Sequence, residues 1–299
     1  MNKLKKKIAE YIYNYENPNR IAFSTKYSYL KNTIIFLRYL IRNIQNVLNF
    51  NIKYKKGIFF NCIVARHQSL LKRKLGNSSM KLQEQKILNI EQAIKKLNNV
   101  IIEPNKVFSF LQIVGKPTYK KGYVNGMLLS NGQVVEGVGG GLCQLSNFLY
   151  WIFLHAPIET IERYHHSMDV FPDENRTLPF GSGATILYNF IDLQVKNISR
   201  YPLQLKLWLT DKHLKGQILA PERIPQKFHI FEKNHFFIKK GKKYFRYNEI
   251  YRAMKIEGRT RKIEKMITNF APVLYKTTND YFQKHNFKVL DFTNSSPIC

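Results

Sequence analysis

A run of four glycines within five residues places the tightest constraint on how this chain folds. Residues 137–141 read Gly-Val-Gly-Gly-Gly, and residues 142–155 are apolar at helical spacing without an internal glycine or proline. Glycine allows backbone conformations and close approaches that a side chain forbids. The sequence therefore predicts a tight loop that leads directly into a buried helix.

Cys143 lies two residues beyond the last glycines, at the start of the predicted helix. The free amide groups and the dipole of a helix start favour a negative charge there. Such a position lowers the pKa of a thiol and makes its thiolate available as a nucleophile. The alternative interpretation is that a cysteine in an apolar helix is an inert, small hydrophobic residue.

A nucleophilic cysteine needs a histidine for proton transfer and a group that orients this histidine. His165 and His166 follow Cys143 in the chain, and Asp192 or Asn189 comes later. Adjacent residues of a strand point in opposite directions, so only one of the two histidines can face the cysteine. No spacing typical of a metal site is present, and we expect neither a metal nor a cofactor.

Positive charge is concentrated at the two ends of the chain. The 299 residues contain 48 Lys and Arg against 20 Asp and Glu, a net charge of +28. Residues 1–100 carry +16, residues 101–200 are neutral, and residues 201–299 carry +12. Basic ends of this size favour anionic surfaces, either lipid or nucleic acid, although they are also compatible with a solvated basic surface. Since no nucleic-acid-binding motif is found, we expect an anionic membrane surface rather than a nucleic acid as the partner.

Residues 33–50 predict an amphipathic basic helix, with apolar residues at helical spacing and arginines mostly on the other side. This helix fits a membrane interface, with its apolar face toward the lipid, or packing on the protein itself. No apolar stretch reaches the roughly 20 residues of a membrane span, and no secretory signal follows the first lysines. We expect a cytoplasmic protein or one held peripherally at the inner face of the membrane.

The remaining patterns indicate an α+β fold. N-terminal helices, including one at residues 79–99, precede a mixed antiparallel sheet, and the glycine loop leads into a central helix. Strands are predicted at residues 185–196 and 203–209, with a β-rich stretch at residues 228–256. We expect the following segments: a basic helical segment at 1–60, a helical lead-in at 61–100, a core domain at 101–215, a β-rich basic extension at 216–285 and a tail at 286–299.

The most specific motif of the chain lies at residues 137–150, Gly-Val-Gly-Gly-Gly-Leu-Cys-Gln-Leu-Ser-Asn-Phe-Leu-Tyr. Together with residues 104–110 and with Glu-Arg-Tyr-His-His-Ser at 162–167, it resembles the VanW family, which is named after an accessory protein of B-type vancomycin resistance clusters. The core of the resemblance covers residues 100–210. It implies an association with glycopeptide resistance and the cell envelope, but it names no reaction.

The resemblance also implies which residues form the site. The matching positions are Cys143, Gln144, Ser146, Glu162, Arg163 and His166. Two positions depart from the family pattern: Tyr164 stands where histidine is frequent, and Gly183 stands where many members carry aspartate. Asp192 matches another acidic position of the family and would replace that aspartate in orienting the histidine.

Two functions are compatible with these residues. In the first, Cys143, His166 and Asp192 catalyse acyl transfer or amide hydrolysis, as in a transglutaminase-like or papain-like core, and Gln144 stabilises the oxyanion. The substrate would be a small molecule or a compound related to peptidoglycan, bound by Gly139, Gly140, Gly141, Ser146 and Arg163. In the second, the chain is a non-enzymatic binding or scaffold module for an anionic ligand or an envelope partner, docked at the membrane surface.

Overall fold

The computed structural model shows an α+β protein, as the sequence predicts. It describes residues 2–17, 28–49, 53–54, 59–72, 80–130, 133–165, 168–170, 172 and 177–293. The helices are α1 (Asn2–Glu16), α2 (Lys31–Asn49), α3 (Met80–Leu97), α4 (Phe110–Val114), α5 (Leu142–Leu154) and α6 (Asn279–Lys284). Helices α2, α3 and α5 confirm the three helices whose bounds the sequence predicts, and α1 lies in the segment at 1–60 that was expected to be helical but was given no bounds of its own.

The first sheet contains five antiparallel strands in the order β1-β3-β9-β10-β2. These strands are β1 (Lys53–Tyr54), β2 (Cys62–Leu70), β3 (Val100–Ile102), β9 (Leu203–Leu209) and β10 (His213–Ala220). Helix α5 packs on β2 and β10, and α3 packs on β9 and α5. The largest apolar core of the described residues lies between these helices and the sheet, where Leu145 and Leu149 of α5 are fully buried.

Two smaller sheets lie next to the glycine run and the start of α5. One contains β4 (Val107–Ser109), β8 (Gln194–Asn197) and β7 (Ile158–Glu162), in the order β4-β8-β7. The other is a hairpin of β5 (Asn125–Ser130) and β6 (Gln133–Val138), which brings the glycine run to the start of α5. The turn of this hairpin, residues 131–132, lies outside the described residues.

The C-terminal part forms a sheet of long strands, β11 (Gln226–Lys240), β12 (Lys243–Ile256) and β13 (Arg259–Pro272). A short strand, β14 (Val289–Asp291), runs parallel to β11 at its edge. The strands β11 and β12 confirm the β-rich stretch predicted at residues 228–256, and the chain turns between them at Gly241, which has a φ of 58°. Helix α1 packs on this sheet through Ile8 and Ile12, which lie against Ile238, Phe245 and Tyr247.

The predicted strand at residues 185–196 is wrong over most of its length, because only its last residues belong to a strand, β8. Asn189 has a φ of 60°, a left-handed conformation that asparagine tolerates better than most residues. The chain reverses around it, and Leu187 and Ile191 form two backbone hydrogen bonds with each other. This tight turn replaces the first half of the predicted strand.

Candidate functional site

Gly140 lies directly against the backbone of the β5–β6 hairpin. A Cβ atom at Gly140 would overlap the carbonyl group of Gly126, and one at Gly126 would lie 2.7 Å from the carbonyl oxygen of Gly140. Real Cβ atoms do not approach other atoms this closely. The two glycines therefore allow two backbone segments to touch, which fixes the hairpin relative to the start of α5.

Asn89 of α3 also holds the glycine loop next to the β5–β6 hairpin. Its Nδ2 atom donates hydrogen bonds to the carbonyl oxygens of Val124 and Gly140, both at 2.9 Å. Its Oδ1 atom accepts a hydrogen bond from the amide of Val124 at 2.8 Å. Because Asn89 is fully buried, these bonds are shielded from water and hold the glycine loop on the helix.

Gly139 and Gly141 have φ angles of 80° and 101°, which lie in the region that glycine tolerates. A side chain at Gly139 would meet the ring of Pro117, and one at Gly141 would overlap the stem of Lys86. The loop is therefore packed against the protein's own atoms. The substrate-binding role of Gly139, Gly140 and Gly141 stays a prediction.

Cys143 is the second residue of α5, close to the helix start that the sequence predicts. Its side chain is partly buried, and Sγ lies 3.8 Å from the carbonyl oxygen of Ile186. Burial raises the pKa of the Cys143 thiol, and the contact with Ile186 offsets only part of this effect. A raised pKa favours the neutral thiol over the thiolate that a nucleophile requires.

Two further motif residues of α5 bond to the protein backbone. The side-chain amide of Gln144 donates to the carbonyl oxygen of Leu70 at 2.8 Å, at the end of β2. The hydroxyl of Ser146, which is fully buried, donates to the carbonyl oxygen of Ala184 at 2.6 Å. Both side chains thus tie α5 to neighbouring segments, and their roles toward an oxyanion or a substrate stay predictions.

Arg163 follows β7 and holds the segment at residues 181–184. Its guanidinium donates to the carbonyl oxygens of Gly181 and Gly183 and lies over the ring of Tyr150, 5.2 Å from its centroid. Asn147 of α5 reaches the same segment, because its Oδ1 accepts from the amide of Ala184 at 2.7 Å. The predicted role of Arg163 in binding a substrate stays a prediction.

Asp192 is almost fully buried next to the start of α4. Its Oδ2 accepts a hydrogen bond from the Ser109 hydroxyl at 2.5 Å, and its Oδ1 accepts from the amide of Leu111 at 2.9 Å. Burial raises the pKa of this carboxyl group, while the hydrogen bonds lower it in part. The structure thus gives Asp192 a local role at the N-terminus of α4, and its role in orienting a histidine stays a prediction.

Helix α2 reaches this acidic site through its polar side. The guanidinium of Arg42 lies 2.6 Å from the Glu162 carboxylate and 3.9 Å from that of Asp192. Glu162 in turn accepts a hydrogen bond from the amide of Asp192 at 2.8 Å. The side chains of Asn43 and Asn189 add a hydrogen bond of 3.1 Å, so Asn189 contacts α2.

His166 lies outside the described residues, and its predicted role in proton transfer stays a prediction. Its neighbour His165 is partly buried and has interactions of its own. Within the described ranges, no group of three or more His, Cys, Asp or Glu side chains could hold a metal ion. The described residues bring Glu162 and Asp192 together, whereas Cys143 bonds elsewhere.

Three residues of this region were not predicted from the sequence: Asn89, Asn147 and Arg42 as a partner of Glu162. Each has a partner far away in the chain. The sequence offered a signal only for Asn147, which is an amide within a largely apolar helix. Asn89 shares its side of α3 with Gln85, Lys86 and Gln92, so the sequence does not set it apart. A buried amide needs hydrogen-bond partners, and backbone groups of Val124, Gly140 and Ala184 provide them here.

The fold and the site define a class of α+β protein in which a glycine-rich hairpin leads into a cysteine-bearing buried helix. Residues 85–219, from α3 to β10, match the family described as VanW like protein. This part of the chain belongs to the VanW family. No solved structure matches the chain, and the transglutaminase-like or papain-like core stays a prediction.

Two curated proteins are similar to part of the chain. Vancomycin B-type resistance protein VanW of Enterococcus faecalis is 37% identical over 141 residues, which cover 47% of this chain and 51% of that protein. Uncharacterized protein YoaR of Bacillus subtilis is 31% identical over 152 residues, covering 46% of this chain and 48% of that protein. The chain thus spans about half the length of the curated relatives it matches.

Proposed function

We propose that this chain is a non-enzymatic VanW-like module that holds an envelope partner or an anionic ligand at the inner face of the membrane. The observation that supports this proposal is that the side chains of the motif form hydrogen bonds with the protein's own backbone. Gln144, Ser146 and Arg163 donate to carbonyl oxygens of the protein itself. A catalytic site instead needs groups that are free to contact a substrate.

The biological process that we propose is glycopeptide resistance. The relative from Enterococcus faecalis is a vancomycin B-type resistance protein, and the family match at residues 85–219 includes the glycine loop and α5. A protein that binds rather than reacts would act there by holding another component of the envelope. A nucleic acid is not part of this proposal.

The competing hypothesis is acyl transfer or amide hydrolysis at Cys143. Its thiolate would attack an amide carbonyl, His166 would pass a proton to the leaving amine, and water or an acceptor amine would release the acyl group. The position of Cys143 at the start of α5 favours this hypothesis. The raised pKa of its thiol argues against it.

Thiol labelling distinguishes the two hypotheses. The chain has three cysteines, and a Cys62→Ser, Cys299→Ser variant leaves Cys143 alone for reaction with iodoacetamide. We expect labelling at neutral pH at least about tenfold slower than that of a free cysteine, because burial disfavours the thiolate. His166→Ala should leave the rate unchanged, and Cys143→Ser in the same variant measures the background.

A drug-susceptibility assay supplies the second readout. If the chain changes the vancomycin susceptibility of a strain that expresses it, Cys143→Ala should preserve this effect. Fast labelling that falls in His166→Ala would contradict the proposal and support the enzyme. Loss of the effect in a Cys143→Ala variant that unfolds like the wild type would contradict it as well.

A further inference from the structure

We propose that the outward apolar face of α2 binds the interfacial region of an anionic lipid bilayer. This face is formed by Leu37, Leu40, Ile41 and Ile44, which remain between 46% and 54% exposed. These side chains share one side of the helix, because residues three and four positions apart are neighbours on a helix surface. Four large apolar side chains in one stripe form a continuous surface rather than scattered exposed residues.

The contacts that α2 makes with the described residues explain why its apolar face is exposed. Helix α2 contacts the protein with its opposite, polar side, where Arg42 pairs with Glu162, Asn43 bonds to Asn189, and the ring of Tyr39 lies 6.1 Å from that of Tyr188. The usual arrangement of an amphipathic helix on a protein is the reverse, with the apolar side inward. Polar anchors that leave the apolar stripe outward are suited to a helix lying in a membrane interface.

The charge of the surrounding sequence identifies the partner. Residues 26–56 include seven Lys and Arg residues and no Asp or Glu, and Arg38 of α2 is exposed. Each basic residue near an anionic bilayer surface contributes about 1 kcal/mol to binding. Pairing of this face with a second copy would instead bring two such basic segments together, and like charges repel.

The helix lies on the membrane rather than across it in this proposal. Among the residues that the structure describes, none of the helices is long and apolar enough to span a membrane. An interfacial helix needs only to bury its apolar stripe about 5–10 Å deep at the boundary between headgroups and acyl chains. The inference rests on the proposed function in its membrane location, for which it names the binding surface, and its outcome is separate from the labelling test of Cys143.

Vesicle co-sedimentation of the full chain tests the inference. We expect binding to phosphatidylcholine vesicles with roughly one-third phosphatidylglycerol, weaker binding to pure phosphatidylcholine, and weakening by added salt. Leu37→Ser with Ile41→Ser should reduce the partition coefficient by about tenfold or more, because two apolar contacts with the bilayer are lost. Arg38→Gln should reduce binding to the anionic vesicles by about fivefold and leave binding to pure phosphatidylcholine unchanged.

The matched control is Ile263→Ser with Leu274→Ser, which removes one isoleucine and one leucine of 55% and 51% exposure outside α2. We expect this variant to bind within about twofold of the wild type. Equal weakening in both double variants, or binding that ignores lipid charge and salt, would overturn the proposal. So would a wild type that does not bind vesicles but self-associates in sedimentation velocity through Leu37 and Ile41, which would assign the face to a second copy.

Discussion

Asp192 illustrates how a residue chosen for its chemistry has a structural task in this protein. Its carboxylate accepts hydrogen bonds from the amides of Leu111 and Leu193, the Ser109 hydroxyl and the Gln194 side chain. These groups come from two segments that are separated by about eighty residues, so the carboxylate connects the start of α4 to the start of β8. A buried acceptor with four donors is costly to remove, because the donors remain without partners.

We therefore predict that Asp192→Ala lowers the free energy of unfolding by about 2–4 kcal/mol. Asp192→Asn should lower it less, because the amide oxygen still accepts from Leu111 and Leu193. Urea unfolding followed by circular dichroism measures both changes. Asp211→Ala, at an exposed turn position, is the control and should have an effect within about 0.5 kcal/mol. An unchanged stability of Asp192→Ala would show that the carboxylate serves another purpose.

Part of the candidate site could be predicted from the sequence around single residues. The glycine run and the helix start at Cys143 follow from local sequence, because glycine and apolar periodicity act over a few residues. The partners of Gln144, Asn89 and Asn147 could not be predicted, since each lies on a segment that only tertiary packing brings near. The raised pKa of the Cys143 thiol likewise reflects burial by distant residues and opposes the helix-start effect.

At the scale of elements, the contact between Gly140 and Gly126 determines how the β5–β6 hairpin sits on α5. Here the backbones themselves meet, and no rotamer change can make room for a methyl group. Adding one forces the loop and the hairpin apart and breaks the bonds of Asn89. The cysteine-bearing end of α5 would move with them.

We predict that Gly140→Ala lowers the free energy of unfolding by about 3 kcal/mol or more, through overpacking and the loss of buried hydrogen bonds. The control is Gly241→Ala in the β11–β12 turn, where a Cβ meets no atom within 4 Å and only the φ of 58° opposes alanine. The free energy of unfolding of that variant should be about 1 kcal/mol lower than that of the wild type. Urea unfolding compares the two, and equal losses would mean that the steric contact is relieved elsewhere.

Helix α2 shows what periodicity predicts and what it leaves open. The pattern of Ile34, Leu37, Ile41 and Ile44 predicts an amphipathic helix, and α2 confirms it. The pattern does not tell which side faces the protein, because a lipid surface and an apolar core select the same residues. That choice is made by Arg42 and its partner Glu162, which lie 120 residues apart in the chain.

At the scale of the whole molecule, the two basic ends of the chain meet. Helix α1 from the N-terminal third packs on the C-terminal sheet, and Glu249 of β12 lies where they join. Lys7 of α1 lies 3.5 Å from its carboxylate, and Lys265 of β13 lies 3.4 Å away. One buried carboxylate therefore offsets positive charge from both ends.

The pKa of Glu249 makes this contact sensitive to acid. Burial alone would raise the pKa of Glu249. Hydrogen bonds from Asn234, Tyr247 and Tyr251 and the charge of Lys265 outweigh burial, and together they lower the pKa from 4.5 to about 2. A carboxyl group with a depressed pKa contributes stability above its unfolded value, and this contribution is lost as pH falls through the folded value. The stabilisation is thus complete above about pH 5 and disappears toward pH 2.

We predict that Glu249→Gln is less stable than the wild type at pH 7 by about 1–3 kcal/mol. The difference should shrink as the pH falls from 5 to 2, because only the wild type loses its carboxylate there. Urea unfolding at a series of pH values measures this convergence. The matched control is Glu257→Gln, a substitution at an exposed residue of the β12–β13 turn. Its free energy of unfolding should change with pH in parallel with that of the wild type. A constant difference between Glu249→Gln and the wild type would exclude the carboxylate charge as the cause.

The overall class could be predicted, but the arrangement of the sheets could not. Alternating and helical patterns indicate strands and helices locally, which gave α3, α5, β9 and the β11–β12 hairpin. Which strands pair across the chain depends on packing, as for β2 with β10. The packing of α1 was also missed, although Leu4, Ile8, Ile12 and Tyr15 already form a helical stripe.

The pairing of β2 with β10 has a consequence for protein synthesis. Strand β2 (Cys62–Leu70) can pair with β10 only after residues His213–Ala220 have left the ribosome. Strand β3 likewise cannot pair with β9 until β9 has been synthesised. Contacts so distant in sequence form slowly, and the exposed edges of waiting strands are prone to aggregate. The β11–β13 meander, in contrast, closes through neighbouring segments. We therefore expect nascent chains that end before β10 to depend on chaperones, with the largest apolar core forming late in translation.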